Sequence, residues 1–295
     1  MYELRQVGEN TYYIDCPSKI GIYHLGEGKV CLIDSGTHKE TGKKVLKILA
    51  AEGWEVACVI ATHFHADHVG GCNVIQERTG CKVYAYGIDR VFLEYPILEP
   101  ALLYGGYPPK GLRGKVFVAQ ECEAEALTAD NLPKGLSIVE LSGHSPSMIG
   151  IGTDDGVWFL ADCMVSEATL TKYHVSYLYN LEQYLESLDR AEGLRGQMFV
   201  PAHGAAAADI SALVQANRAK CMELLDLVRG FCREGITHEA LLKAVFDHYS
   251  LGLDLGQYVL SGSTLRSYLS YLMDRKEVET AVVDNRLLWR SVPRA

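Results

Sequence analysis

The chain reads as an α/β layered domain followed by a small helical appendage, and three observations predict this. Strand patterns alternate with helical ones from residue 11 to residue 86, and strand patterns resume between 137 and 203. The stretch 236–295 then shows apolar residues at helical spacing and ends in a hairpin signal. With 295 residues, 48% of them hydrophobic, the chain can build one large domain, or a large domain with a small addition.

The elements follow in order. Thr11–Ile14, Ile20–His24 and Val30–Ile33 read as short strands, the last two joined by the Gly26-Glu27-Gly28 turn. Lys39–Gly53 carries apolar residues at Val45, Leu46, Ile48 and Leu49 with Gly53 as a stop, which predicts a helix. The buried strand Val56–Ala61 follows, then a helix from Gly70-Gly71 to about Arg78 and the strand Cys81–Tyr86. Residues 88–133 hold five prolines and few regular periods, so an irregular lid insertion is expected there. Strands are predicted at Ser137–Leu141, Met148–Gly152, Val157–Leu160 and Met198–Val200. Asn180 with Gln183 three residues on marks a helix start. The domains expected are 1–210, a connecting helix at 211–235, and a winged-helix-like module at 236–295. In that module Thr237–Tyr249 and Ser263–Arg275 are helical and a hairpin turns at Asp284-Asn285-Arg286.

One stretch carries the chemistry. Thr62-His63-Phe64-His65-Ala66-Asp67-His68 packs three imidazoles and a carboxylate directly after the apolar run Val59-Ile60-Ala61. Imidazole nitrogen and carboxylate oxygen suit zinc and its first-row neighbours. Without a partner, each such group costs roughly 2–7 kcal/mol to desolvate, so an ordinary strand end does not collect them. Three more ligand-type residues fall where strands end: His144, Asp162 and His203. If they converge, five histidines and two aspartates are too many for one tetrahedral ion and enough for two. Asp34, at the end of another strand, is the candidate to orient a ligand imidazole from outside. Tyr104, Tyr107, His174 and Tyr177 are candidate substrate contacts.

Bulk properties exclude several roles. The formal charge of −9 repels polyanions, so nucleic acid is a disfavoured partner. From residue 237 onward seven cationic residues (Lys243, Arg266, Arg275, Lys276, Arg286, Arg290 and Arg294) meet seven acidic ones, which leaves the appendage without a basic face; a homodimer contact or support for the lid suits it better. No apolar run is long enough to cross a bilayer, and the charged start Met1–Arg5 is unlike a signal peptide. Nine cysteines without a Cys-x-x-Cys pair suit a reducing compartment, so a cytoplasmic location is expected.

His63-Phe64-His65-Ala66-Asp67-His68, followed by His144, Asp162 and His203, resembles the metallo-β-lactamase superfamily. Asp34-Ser35-Gly36 and Gly143-His144-Ser145-Pro146 resemble its accessory motifs. The resemblance covers residues 1 to about 210 and implies an αββα sandwich with metals at one edge. It implies that His63, His65 and His144 hold one metal, that Asp67, His68 and His203 hold a second, and that Asp162 bridges them. The cofactors expected are two divalent ions, zinc first, with manganese or iron as alternatives. The form of the cluster suggests the hydrolytic branch rather than the di-iron flavoprotein branch, which has a glutamate there. Relatives often follow the fourth motif with glycine and then histidine or serine, where this chain has Ser147 and Met148.

The expected function is a metal-dependent hydrolase in which a hydroxide held by both metals attacks an ester, thioester or lactone of a small molecule, with Asp67 as catalytic proton shuttle. The rivals are a phosphodiesterase or ribonuclease using the same site, and a non-catalytic binding protein stabilised by its metals.

Overall fold

Two β-sheets packed face to face, with helices on both outer surfaces, form the body of the protein in a computed structural model that describes residues 2–292. Arg294, counted above among the appendage's charges, lies outside the described residues. The first sheet runs β1 (Glu3–Gln6), β2 (Thr11–Asp15), β3 (Ile20–Gly26), β4 (Lys29–Ile33), β5 (Glu55–Ala61), β6 (Lys82–Ala85) and β7 (Glu125–Ala126) in sequence order. Its first three pairings are antiparallel and its last three parallel. The second contains β8 (Leu136–Glu140), β9 (Ile149–Thr153), β10 (Val157–Val165) and β11 (Met198–His203), with β10 and β11 parallel. A separate hairpin joins β12 (Val278–Val283) to β13 (Arg286–Ser291).

The helices are α1 (Lys39–Ala51), α2 (Ala66–Val69), α3 (Cys72–Thr79), α4 (Asp89–Glu94), α5 (Leu98–Tyr104), α6 (Glu167–Tyr173), α7 (Leu181–Gly193), α8 (Ser211–Phe231), α9 (His238–His248) and α10 (Leu255–Asp274). None among the described residues is long and apolar enough to cross a membrane.

Period-two alternation explains the layering. In β4, Cys31 and Ile33 enter the core between the sheets with Phe159 and Val200, while Val30 and Leu32 face the other way, toward Val45 and Leu49 of α1. In β10, Phe159 points between the sheets and Leu160 points out, into a core shared with α7, α8, α9 and α10. That outer core is continuous. It runs from Leu160 and Leu181 through Leu225 to Leu241 and Leu269, so the C-terminal helices pack on the second sheet as part of one hydrophobic body.

Three sequence expectations change. The segment 88–133 is not irregular throughout, since it forms α4, α5 and a short 3₁₀ turn. Pro96 precedes α5 and Pro100 falls in its first turn, where a missing N–H is tolerated. Helix α10 starts at Leu255, eight residues before the expected Ser263. Asp254 caps it by accepting from Gln257 N at 2.7 Å, and the apparent break Ser261-Gly262-Ser263 continues the helix because small residues there admit His238, whose Nε2 donates to Gly262 O at 2.8 Å. Strand β10 runs on through Asp162, and β11 through His203, so these two side chains leave from strands rather than from the loops after them. The hairpin turns at Asp284 and Asn285, both with positive φ, as a two-residue turn of the primed type requires.

A continuous outer core has a thermodynamic consequence. Leu269→Ala should destabilise the whole chain by about 2–5 kcal/mol in one cooperative denaturant transition. Separate early melting of the C-terminal helices would contradict it.

Candidate metal centre

Each ligand-type side chain is delivered by a locally explicable piece of backbone. Strand β5 ends at Ala61, and the chain turns through His63 and His65 into the single turn α2, where His68 N bonds to His65 O at 2.9 Å. The loop after β4 lies against this turn, with Ser35 N and Gly36 N both donating to His68 O, at 2.7 and 3.1 Å. Gly70 makes that approach possible, because a Cβ there would lie 2.3 Å from Thr37 O. His144 is set by Gly143, whose φ of +121° and closeness to Tyr184 N (2.2 Å from an added Cβ) suit only glycine. Asp162 follows Ala161, which has a left-handed φ of 49° where the register of β10 shifts against β11; the irregularity re-aims the carboxylate.

All seven residues come together at one edge of the two sheets. Three groupings of converging donor atoms occur among the described residues: His63, His65 and His144; His63, His68 and Asp162; and Asp67, His68 and His203. Asp162 touches both sides. Its Oδ1 is 3.2 Å from His68 Nε2, and its Oδ2 is 3.4 Å from both His144 Nε2 and His203 Nε2. Asp67 Oδ2 sits 3.1 Å from His203 Nε2 and accepts from Ser18 Oγ at 2.7 Å.

The surrounding hydrogen bonds fix the ring tautomers. His144 Nδ1 donates to Tyr177 O at 3.1 Å and His203 Nδ1 to Pro17 O at 3.0 Å, since a carbonyl only accepts. His68 Nδ1 donates to Asp34 Oδ2 at 2.8 Å. Thr62 Oγ1 gives its one proton to Asp34 at 2.9 Å, so it can only accept from His63 Nδ1, 3.1 Å away. Four imidazoles therefore turn Nε2 toward the centre while an outer partner holds Nδ1, the arrangement seen when an outer group orients a metal-binding histidine. His65 Nδ1 stands 3.1 Å from His63 Nε2 and 2.9 Å from His144 Nε2, and its single proton can serve only one of them. His68 Nε2 and Asp162 Oδ1, both buried and 3.2 Å apart, form an ion pair without a well-aligned hydrogen bond.

Electrostatics split the centre in two. Burial, reinforced by neighbouring imidazoles, holds His63 and His144 below the usual histidine range and His65 down at about 3, so this side is neutral. On the other side burial opposes charge, and charge wins. The carboxylates Asp162, Asp67 and Asp34 lift His68 despite its burial, and Asp162 above all lifts His203 to about 10. Asp67 and Asp162 in turn stay ionised against their own burial. Neutral nitrogen donors beside a carboxylate group that collects positive charge form a donor set fit for divalent cations.

The other candidates divide. Asp34 is 2% exposed and makes the contacts expected of it. Tyr177 lies against the centre, its ring centroid 5.3 Å from that of His65 and 5.5 Å from that of His144. Tyr104, Tyr107 and His174 are not brought to it. Tyr104 and Tyr107 are exposed, the latter bonded to Arg113, and His174 stacks on Tyr249 at 4.1 Å. Tyr104 ends α5 and Tyr107 follows it on the exposed side, and His174 ends α6 where its ring turns to Tyr249.

Two acids escaped the sequence reading. Glu99, on α5, is buried against the cleft; burial keeps its carboxyl well above the usual range, against the pull of the nearby Ala66 backbone at the start of α2. Asp89, on α4, accepts from Ser145 Oγ and from Ser147 N (2.9 Å), and Ser147 Oγ accepts from Ile88 N at 3.2 Å, so the serine that departs from the relatives' pattern docks the loop on the start of α4. Nothing in a lone acid within a proline-rich stretch signals such burial. Burial raises Asp89 to about 6 against those hydrogen bonds. A carboxyl raised in the fold stabilises fully below its unfolded value, about 4, and that contribution is lost as pH rises through about 6. Relative to Asp89→Asn, metal-stripped wild-type protein should lose about 3 kcal/mol between about pH 4 and about pH 7, read from denaturant midpoints; parallel profiles would contradict this.

Residues 8–203 match the Metallo-beta-lactamase superfamily. An atrochrysone carboxyl ACP thioesterase from Aspergillus fumigatus is 26% identical over 196 residues, covering 65% of this chain and 53% of that protein, so the chain spans about half its length. A hydroxyacylglutathione hydrolase from Rhodopseudomonas palustris is 44% identical over 41 residues, 14% of this chain and 16% of that protein. The structure of a beta-lactamase domain protein from Burkholderia ambifaria superposes with a TM-score of 0.77 at 18% identity, over 98% of this chain and 94% of that one, a likeness of fold. The chain belongs to the metallo-β-lactamase superfamily, whose divalent metals the converging histidines and aspartates at the sheet edge could hold.

Proposed function

We propose that the chain is a metal-dependent hydrolase with a dinuclear centre, acting on an ester, thioester or lactone of a small molecule. The observation that carries this reading is the convergence of five imidazoles and two carboxylates at the sheet edge, four of the rings turning Nε2 inward while an outer partner holds Nδ1. His63, His65 and His144 would hold one ion, Asp67, His68 and His203 the other, and Asp162 would contact both. Two divalent cations, zinc first and manganese or iron by the same donors, supply a lowered water pKa and polarisation of the carbonyl.

The chain's own groups do the rest. Asp34 and the carbonyls of Tyr177 and Pro17 hold the imidazoles in their donating tautomers. Asp67 is the centre's carboxylate with the more open side chain, 38% exposed against 7% for Asp162, so it can take the proton released by the attacking water and pass it to the leaving group. Tyr177, Phe117 and Leu260 wall the cleft and exclude water from the reacting carbonyl. The thioester choice is supported by the two relatives named above, a thioesterase and a hydroxyacylglutathione hydrolase. The cleft's few cations, Lys115 and Lys172 among them, weigh against a polyanionic substrate.

Two outcomes are expected. Metal-reconstituted protein should hydrolyse a nitrophenyl ester or a thioester and leave bis-nitrophenyl phosphate intact, and metal-stripped protein should do neither; cleavage of the diester alone would reverse the assignment. Asp67→Asn should lower kcat by about 10²–10⁴ while most of the metal stays bound, and unchanged turnover would remove the proton-transfer role.

A further inference from the structure

The cleft beside the centre has two lobes, and a C-terminal helix divides them. One lobe, about 620 Å³, is lined by Val165, Ala168, Val175 and Leu178 and carries Lys172 at its edge. The other, about 540 Å³, lies under the lid segment, between Phe117, Val116 and buried Glu99. His144, Asp162, Tyr177 and Leu260 line both. Tyr177 and Leu260 are thus the wall between them, standing over the donor atoms where a scissile bond would sit. Each lobe falls in the size range of cavities that enclose small-molecule ligands, about 300–1,000 Å³. Val116 is 72% exposed beside the centre, apolar surface that a ligand would cover.

Leu260 brings to this wall a side chain from α10, which lies beyond the residues matched to the superfamily, and Tyr177 comes from the segment after α6 that α10 holds. Thr264 Oγ1 accepts from Leu178 N at 3.1 Å and Ser267 Oγ from Leu181 N at 2.9 Å, pinning the segment whose Tyr177 carbonyl orients His144. On another face, Val259 of α10 packs with Leu103, Leu112 and Phe117, docking the lid segment. One helix therefore separates the lobes, anchors the lid and supports a histidine of the centre.

We infer that α10 is the specificity element and that the substrate is a two-armed thioester or ester. Its acyl arm and its leaving arm are both extended and largely apolar, and they lie on opposite sides of Leu260 and Tyr177. This rests on the hydrolase reading above and narrows it to a substrate class.

The test is a two-by-two set of thioesters, acetyl or octanoyl on methanethiol or benzyl mercaptan, assayed with metal-reconstituted protein. Burying each added methylene is worth roughly fourfold, so kcat/KM should rise at least about thirtyfold for the longer acyl arm. It should rise again, independently, for the larger thiol. Leu260→Trp, which fills the junction, should reduce both gains to within about threefold, on the same transfer scale, chiefly through KM. Should that variant fail to fold, Leu260→Ala tests the same wall. By merging the lobes it should raise turnover of a branched 2-propylpentanoyl thioester at least about tenfold relative to octanoyl. Metal-dependent turnover blind to arm length, or sensitive to one arm only, would overturn the two-lobe inference and leave the hydrolase reading standing. No turnover of any of the four would overturn both.

Discussion

Asp34 is the group on which the centre's geometry depends. It is buried at the end of β4 in a left-handed conformation (φ 67°), and its carboxylate accepts from Thr62 N at 2.8 Å, Thr62 Oγ1 at 2.9 Å and His68 Nδ1 at 2.8 Å. These contacts tie three things together. They attach the histidine-bearing turn to the neighbouring strand, they set the tautomer of His68 directly, and through the Thr62 hydroxyl they set that of His63. A buried carboxylate is tolerated only with such partners. Removing it would leave two donors and an imidazole N–H unsatisfied in a water-poor site, each at about 1–3 kcal/mol.

The same logic extends outward. His144 is fixed by the Tyr177 carbonyl, and the segment carrying Tyr177 is pinned by Thr264 and Ser267 on α10. Helix α10 in turn belongs to the outer core that begins on β10, the strand bearing Asp162. Rigidity at the sheet edge is thus supplied by packing that reaches from the second sheet into the C-terminal region. The 88–133 segment is tied in by two buried acids, Asp89 holding the loop after His144 and Glu99 buried against the cleft.

Much of this was legible in the sequence, for identifiable reasons. A cluster of imidazoles and carboxylate after an apolar strand is chemically expensive anywhere but at a metal site, so the seven donors and Asp34 could be named from order and residue type. The layering followed from strand patterns alternating with helical ones up to residue 86, and the structure shows how continuous apolar strands such as β4 serve two cores with alternate residues. What stayed hidden depends on three-dimensional burial. Glu99 and Asp89 look like surface acids in a proline-rich stretch, and Tyr104, Tyr107 and His174 differ from Tyr177 only in which way their turns point. The start of α10 was missed because its apolar spacing is regular only from Leu265 onward, while its first turns are set by the Asp254 cap and by packing of Val259 against Phe117.

The central claim is that five histidines and two aspartates form one site for two ions, with Asp162 between them. Metal content per chain, measured by elemental analysis after saturation with zinc and removal of excess, tests it most directly. The account expects two equivalents in wild-type protein and a loss of paired binding in Asp162→Ala. One equivalent or none in wild-type protein, with the fold intact, would contradict it.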